Sequence, residues 1–240
     1  MTCTDVRRRD DLDHCSFSVP AGARLLVVSD PERSASTLLR ILAGLAPADR
    51  GRIWVAGLND PTAEGWGRRV AYLGANSGLH DWMTPEEAMQ LAGELLALPS
   101  VEAARRTDRL LRWAGVDTAT ARRSIRRGGD QLRQRTGLAC ALLGDPEVLL
   151  FDEPLRAIEP RERTRLLGVP GERRTVVLAS RYPASEAGLV DSLLYLRDGS
   201  VRALAPLAAL ERAGLPLSRR GIADLADLVA ATQSLRQAAG

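Results

Sequence analysis

Leu142-Leu143-Gly144-Asp145-Pro146-Glu147-Val148-Leu149-Leu150-Phe151-Asp152-Glu153-Pro154 is the stretch that decides the fold. Four apolar residues in a row, Val148 to Phe151, show no alternation. Such a run suits a strand buried on both faces, as in a parallel sheet. Asp152 and Glu153 follow at the end of that strand. On these residues alone two readings stay open: a strand ending in two solvated carboxylates, or two acids placed to serve a site.

Upstream, Val19-Pro20-Ala21-Gly22 predicts a turn ahead of a second apolar run, Leu25 to Val28. A polar loop, Ser29 to Ser34, leads into Thr37 to Gly44, which has helical spacing and a glycine stop. Strand, loop and helix in succession make a βα unit. Gly51 to Gly57 and Arg69 to Leu73 read as strands. From about Gly78 to Leu143 the pattern turns helical. Thr84-Pro85-Glu86-Glu87 opens a helix with a capping residue, proline at the first helical position and a glutamate that closes a capping box. That helix ends before Pro99; others follow around Val101 to Ala114 and Leu132 to Leu143. Thr175 to Ala179 is a further strand, and Leu193 to Leu204 a hairpin around Asp198-Gly199. Ile222 to Ala239 reads as a helical tail. This order predicts an α/β core interrupted by a helical subdomain. Residues 1–77 and 145–215 form the core with a small β portion, 78–144 the helical subdomain, and 216–240 the tail.

The 240 residues are 45% hydrophobic and 26% charged, which argues against wholesale disorder. Thirty-three basic residues nearly balance 30 acidic ones, and no basic stripe interleaved with aromatics occurs, so nucleic acid is not the expected partner. There is no lysine, so every basic residue is arginine. Schiff-base chemistry, a lysine general base and a lysine grip on phosphate are thereby excluded. Cys3, Cys15 and Cys140 are widely spaced with no CxxC pair, and His14 and His80 are the only histidines. Neither a disulfide frame nor a His-rich metal centre is expected. The apolar runs are far short of a membrane span, so a soluble chain is expected and any membrane role comes through a partner.

The Leu142–Pro154 block resembles the Walker B segment of ABC ATPases, and other family segments follow in order. Ala21-Gly22 into a strand, Ser36 to Leu45, Gly51 to Gly57, Tyr72-Leu73, Gln134 to Leu143 and Leu196 to Gly199 all look like ABC segments. The resemblance covers roughly Leu12 to Leu210. It implies the ABC ATPase fold: a P-loop NTPase-like core with an inserted helical subdomain and a small antiparallel β portion. It also implies Mg-ATP as ligand, Asp152 and Ser36 on the metal, and Glu153 orienting or deprotonating an attacking water. As partners it implies a transmembrane transporter subunit and a second nucleotide-binding domain, identical or different. The chain would then sit in the cytoplasm, peripheral to the inner face of the membrane.

Several family positions have changed. The phosphate loop GxxxxGK[ST] aligns with Ser29-Asp30-Pro31-Glu32-Arg33-Ser34-Ala35-Ser36-Thr37. Serines replace both glycines, Ala35 stands at the lysine position, and Asp30 and Glu32 add negative charge. The helix N-terminus and Ser36 survive, and Arg33 offers a partial substitute. A hydrogen bond to a charged group contributes about 1.5–3 kcal/mol, so the missing lysine weakens binding by about ten- to a hundredfold. The Q-loop position falls at Ala75, beside Asn76. The signature LSGGQ aligns with Gly128-Gly129-Asp130-Gln131-Leu132, or with Arg126 to Asp130 under a two-residue shift; both lack the serine. Glu159 replaces the D-loop aspartate, Arg181 stands at the switch histidine, and no adenine-stacking aromatic occurs near Val6 to Arg9. Three functions are expected from this pattern. The first is a degenerate transport subunit with weak or no hydrolysis, docking a membrane partner near Gly74 to Trp82. The second is a pseudo-ATPase scaffold without transport. The third is a divergent active ATPase using Arg33 and Arg181.

Overall fold

The computed structural model describes residues 1–74, 78–168 and 174–238. Along the chain, β1 (Thr2–Arg8), β2 (Leu12–Ser18) and β3 (Arg24–Asp30) lead into α1 (Arg33–Leu42), β4 (Arg50–Trp54), α2 (Trp66–Arg69) and β5 (Val70–Leu73). Four helices follow: α3 (Pro85–Leu95), α4 (Ser100–Trp113), α5 (Thr118–Ala121) and α6 (Ile125–Leu143). Then come β6 (Val148–Asp152), α7 (Pro160–Leu167), β7 (Thr175–Ala179), β8 (Ser192–Arg197), β9 (Ser200–Pro206), α8 (Ala208–Arg212) and α9 (Arg219–Ala238).

The apolar runs assemble a six-stranded sheet in the order β5-β6-β7-β3-β8-β9. The first five strands are parallel, and β9 closes the edge antiparallel to β8. Successive side chains face opposite ways along a strand, and here both faces are covered. Leu25, Val27, Leu150, Val177 and Leu194 meet Leu38, Leu39 and Leu42 of α1. Leu26, Val28, Leu149, Phe151 and Leu178 meet Leu138 of α6, Leu166 of α7, and Ile222 and Leu225 of α9. Burial on both sides is why these strands read as unbroken apolar runs.

A second, antiparallel sheet, β2-β1-β4, adds Cys3, Val6, Cys15 and Phe17 to the α1 side. The sequence reading contains neither β1 nor β2. Helices α3, α4 and α6 share a separate cluster around Met89, Leu111, Leu132 and Leu143. The capping box of α3 is present: Glu87 N donates to Thr84 Oγ1 at 3.2 Å, and Thr84 N donates to Glu87 Oε2 at 2.8 Å. Helix α6 begins at Ile125, earlier than expected, and breaks at Gly129, where φ is 62° and ψ −158°. Only glycine takes that conformation without strain. Among the described residues no helix is long and apolar enough to cross a membrane.

One boundary bears directly on the site. The expected loop Ser29–Ser34 shrinks to Pro31 and Glu32, because β3 runs through Asp30 and α1 starts at Arg33. With serines in place of glycines, Ser34 and Ala35 take helical geometry. Their amides bond back to the carbonyls of Pro31 at 3.2 Å and Glu32 at 3.3 Å.

Candidate functional site

Strands β6, β7 and β3 are neighbours, so their carboxyl ends bring Asp152, Ala179 and the loop after Asp30 together. A cavity of about 230 Å³ opens there, lined by Ser29, Glu32, Ser36, Asp152, Glu153 and Arg181, among others. A crevice beyond the carboxyl ends of parallel strands is where open α/β sheets bind ligands.

The loop beneath this cavity is closed on itself. Ser29 Oγ donates to the Glu32 carbonyl at 3.0 Å and accepts the Ala35 amide at 2.9 Å. Ala35 is buried in the α1 core cluster. Ser34 is buried too, with no hydrogen-bond partner for its hydroxyl. Arg33 does not take up the absent lysine's place. Its guanidinium turns to the β1–β2 turn, donating to Asp11 Oδ1 at 2.6 Å and to the Asp10 carbonyl at 2.8 Å. Thr37 Oγ1 donates to the other Asp11 oxygen at 2.8 Å. Arg33 lines the cavity while its guanidinium pairs with Asp11. Asp30 is exposed and is not among the residues that line the cavity.

Asp152 uses both of its oxygens. Ser36 Oγ donates to Oδ1 and the Tyr72 hydroxyl to Oδ2, each at 2.9 Å. Burial first, then the neighbouring Asp152 charge, pushes the Tyr72 phenol well above its ordinary range, so it stays a donor. Glu153 sits at φ 48°, an uncommon conformation for a residue with a side chain. Its Oε2 accepts from Arg156 Nε at 2.9 Å, and its Oε1 accepts the Arg181 amide with the Arg181 guanidinium 3.5 Å away. The candidate base is thus held by two guanidiniums.

Arg156 extends this contact inward. It donates to Ser180 Oγ at 2.6 Å and to Glu186 Oε1 at 3.1 Å. Glu186 is fully buried and also accepts from buried Arg163, 2.9 Å to each oxygen. Desolvation pulls the Arg163 guanidinium below its usual value, and the Glu186 charge opposes that. None of Arg156, Arg163, Glu186 or Arg219, which enters the cavity from α9, figures in the sequence reading. None of them occupies a position that the family pattern marks, and only tertiary folding brings them to the site.

The remaining expected residues lie elsewhere. Gly128, Gly129, Asp130 and Gln131 form the start of α6 and do not line the cavity; Asp130 pairs with Arg133 at 2.9 Å. The Q-loop residues Ala75 and Asn76 fall outside the described residues. His80 and Trp82 stack with centroids 5.6 Å apart, and Trp82 is 71% exposed.

In this site the Ser34 and Ala35 amides bond within the loop, no cation stands at position 35, and Asp152 accepts a hydroxyl on each oxygen.

A model of the ABC transporter family matches residues 12–156. This chain belongs to the ABC transporter family. It is 31% identical over 197 residues to the daunorubicin resistance ATP-binding protein DrrA3 of Streptomyces coeruleorubidus, covering 79% of this chain and 61% of that one. It is 32% identical over 195 residues to the sulfate/thiosulfate import ATP-binding protein CysA of Mycobacterium tuberculosis, covering 79% and 55%. With the Mesostigma viride CysA the identity is 32% over 155 residues, covering 65% and 44%. The chain thus spans between 44% and 61% of the length of these relatives. The dimeric structure of the bacterial ABC transporter cassette MJ0796 superposes with a TM-score of 0.73 at 19% identity, covering 86% of this chain and 98% of that one. The fold is that of an ABC ATPase cassette.

Proposed function

We propose that this cassette is the nucleotide-binding-domain subunit of an ABC-type transporter and hydrolyses ATP weakly or not at all. In this reading residues 1–77 and 145–215 are the core, 78–144 the helical subdomain and 216–240 the tail. The subunit pairs with a transmembrane partner and a second nucleotide-binding domain, on the inner face of the membrane. It transmits movement, and the partner domain supplies the turnover.

The observation that carries this reading is the closed phosphate loop. In a working loop, free amides and a lysine meet charge that develops on the phosphates. Here the Ala35 amide is spent on Ser29 Oγ at 2.9 Å and the Ala35 methyl is in the core. The grip of Arg156 and Arg181 on Glu153 points the same way, since both carboxylate oxygens already accept hydrogen bonds from within the chain. The active-ATPase reading loses support because Arg33 is committed to Asp11.

The test is Mg-ATP binding by equilibrium dialysis, together with phosphate release, for the unaltered chain and Glu153→Gln. The expected result is no saturable binding at micromolar ATP and no turnover that depends on Glu153. Turnover in the unaltered chain that vanishes in Glu153→Gln overturns the proposal.

A further inference from the structure

Away from the crevice, a cavity of about 900 Å³ opens beside β4, the edge strand of the small sheet, and shares no lining residue with the first. Buried Ile41, near the end of α1, and buried Ile53, on β4, line it from the core side. Leu45, Pro47, Pro61 and Trp54 extend the apolar lining, and Leu45 and Trp54 are 57% and 53% exposed. The loop after α1 and the loop after β4 form its walls, and they are pinned together. Trp66 Nε1 donates to the Ala43 carbonyl at 3.1 Å. Gly44 has φ 74°, and a Cβ there would lie 2.7 Å from the Pro61 Cβ. The cavity is therefore built before any ligand arrives, as small-ligand pockets usually are.

Its charge is one-sided. Among the described residues Arg52 is the one charged side chain lining it, and no acid pairs with that guanidinium. Asp49 and Asp60, one from each wall loop, are already engaged. Asp49 accepts from Arg8 Nη1 at 2.8 Å and from the Arg9 amide at 2.7 Å. Asp60 accepts from the Thr62 amide at 2.8 Å and the Thr62 hydroxyl at 2.7 Å. Side chains two apart on a strand share a face, so Arg52 and Trp54 stand side by side on β4. We propose that this cavity is a binding site for a small apolar monoanion, an aryl carboxylate whose ring covers Trp54 and whose carboxylate meets Arg52.

Three features select that class. The volume, about 900 Å³, falls in the range of about 300–1,000 Å³ typical of small-ligand pockets. The lining is mostly apolar, and covering the exposed faces of Leu45 and Trp54 is favourable. The single cation sets the charge: a guanidinium fork meets one carboxylate through two parallel N–H···O bonds. A neutral ligand leaves Arg52 unanswered, and a polyanion brings charges for which the lining has no second cation. The site is independent of the transport reading, since no residue of the crevice takes part in it.

Equilibrium dialysis of naphthylacetate against the full chain, with naphthylethanol as its uncharged counterpart, tests this. Saturable binding of the acid is expected, and none at millimolar concentration overturns the proposal. Arg52→Gln is expected to weaken the acid by about 2- to 5-fold, the range for an exposed ion pair, and to leave the alcohol unchanged. Trp54→Ala is expected to weaken both ligands by about 2- to 12-fold, as the loss of an aromatic pair does, and Trp54→Phe to restore most of that. Equal effects of Arg52→Gln on acid and alcohol, or none on either, overturn the assignment of an anion. Binding unmoved by Trp54→Ala places the probe elsewhere and overturns the site. Both side chains are exposed, so each variant is expected to melt as the unaltered chain does; where Trp54→Ala does not, Arg52→Gln with the two ligands decides alone.

Discussion

Replacing Glu186 by glutamine strikes the point where the site rests on the core. The carboxylate has no exposed surface. Its Oε1 accepts from Ser180 Oγ at 2.7 Å, Ser185 Oγ at 2.9 Å and Arg156 at 3.1 Å, and both oxygens face Arg163 at 2.9 Å. Glutamine keeps the volume but removes the charge and turns an amide N–H₂ toward donors. Arg163, only 5% exposed, is left as a buried cation without its anion. Breaking a buried pair from one side costs about 3–5 kcal/mol. Domains of this size lose about 2–4 °C of Tm per kcal/mol, so the melting temperature should drop by roughly 6–20 °C. Urea unfolding supplies the free energy directly, and a cycle with Arg163→Met isolates the pair. The double variant should be less destabilised than the sum of the singles by about 0.5–3 kcal/mol, because the methionine removes the stranded charge. A Glu186→Gln cost below about 1 kcal/mol, or strict additivity in the cycle, would show that the buried network is not what holds this corner together.

Two further outcomes are expected. Arg165, with Arg135, holds the Glu162 carboxyl down at about 2, against an ordinary 4.5. Its pKa is lower in the folded chain than in the unfolded one, so the stability it contributes is complete above about pH 4.5 and is lost as pH falls toward 2. Glu162→Gln should flatten the acid limb of a stability–pH curve across that window and change little near neutrality beyond a constant offset. Thr84→Ala removes the side-chain cap of α3 and should cost about 0.5–2 kcal/mol in urea unfolding. A loss near zero would mean that packing alone fixes where that helix begins.

The parallel strands were legible because each is buried on both faces, which leaves the unbroken runs Leu25–Val28, Val148–Phe151 and Thr175–Ala179. The start of α3 was legible because its capping box is local chemistry. Strands β1 and β2 were not. Register shifts between Cys3 and Val6, and again before Arg8, break the alternation that marks a half-buried strand. In the site, Asp152 and Glu153 announced themselves by following a buried run, and the absent lysine was plain. The early start of α1 was not, since it follows from how serines wind where glycines would have stayed open. Arg156, Glu186 and Arg219 were invisible for another reason: charges at positions that no pattern marks normally belong to solvated surface, and only the assembled sheet and tail helix bring them to the site.

The two arginines on Glu153 also decide which solution conditions can loosen the site. A histidine at position 181 would gain or lose charge near neutrality, whereas a guanidinium keeps its charge throughout that range. Ionic strength acts on this clasp unevenly. At 0.1 M salt, fields between exposed charges fade over about 10 Å. The rim contact between Arg181 and Glu32, about half open to water, weakens as salt rises, while the Arg156–Glu153 contact, 27% and 17% exposed, holds. Raising the salt should free the loop's outer edge and leave its inner anchor shut.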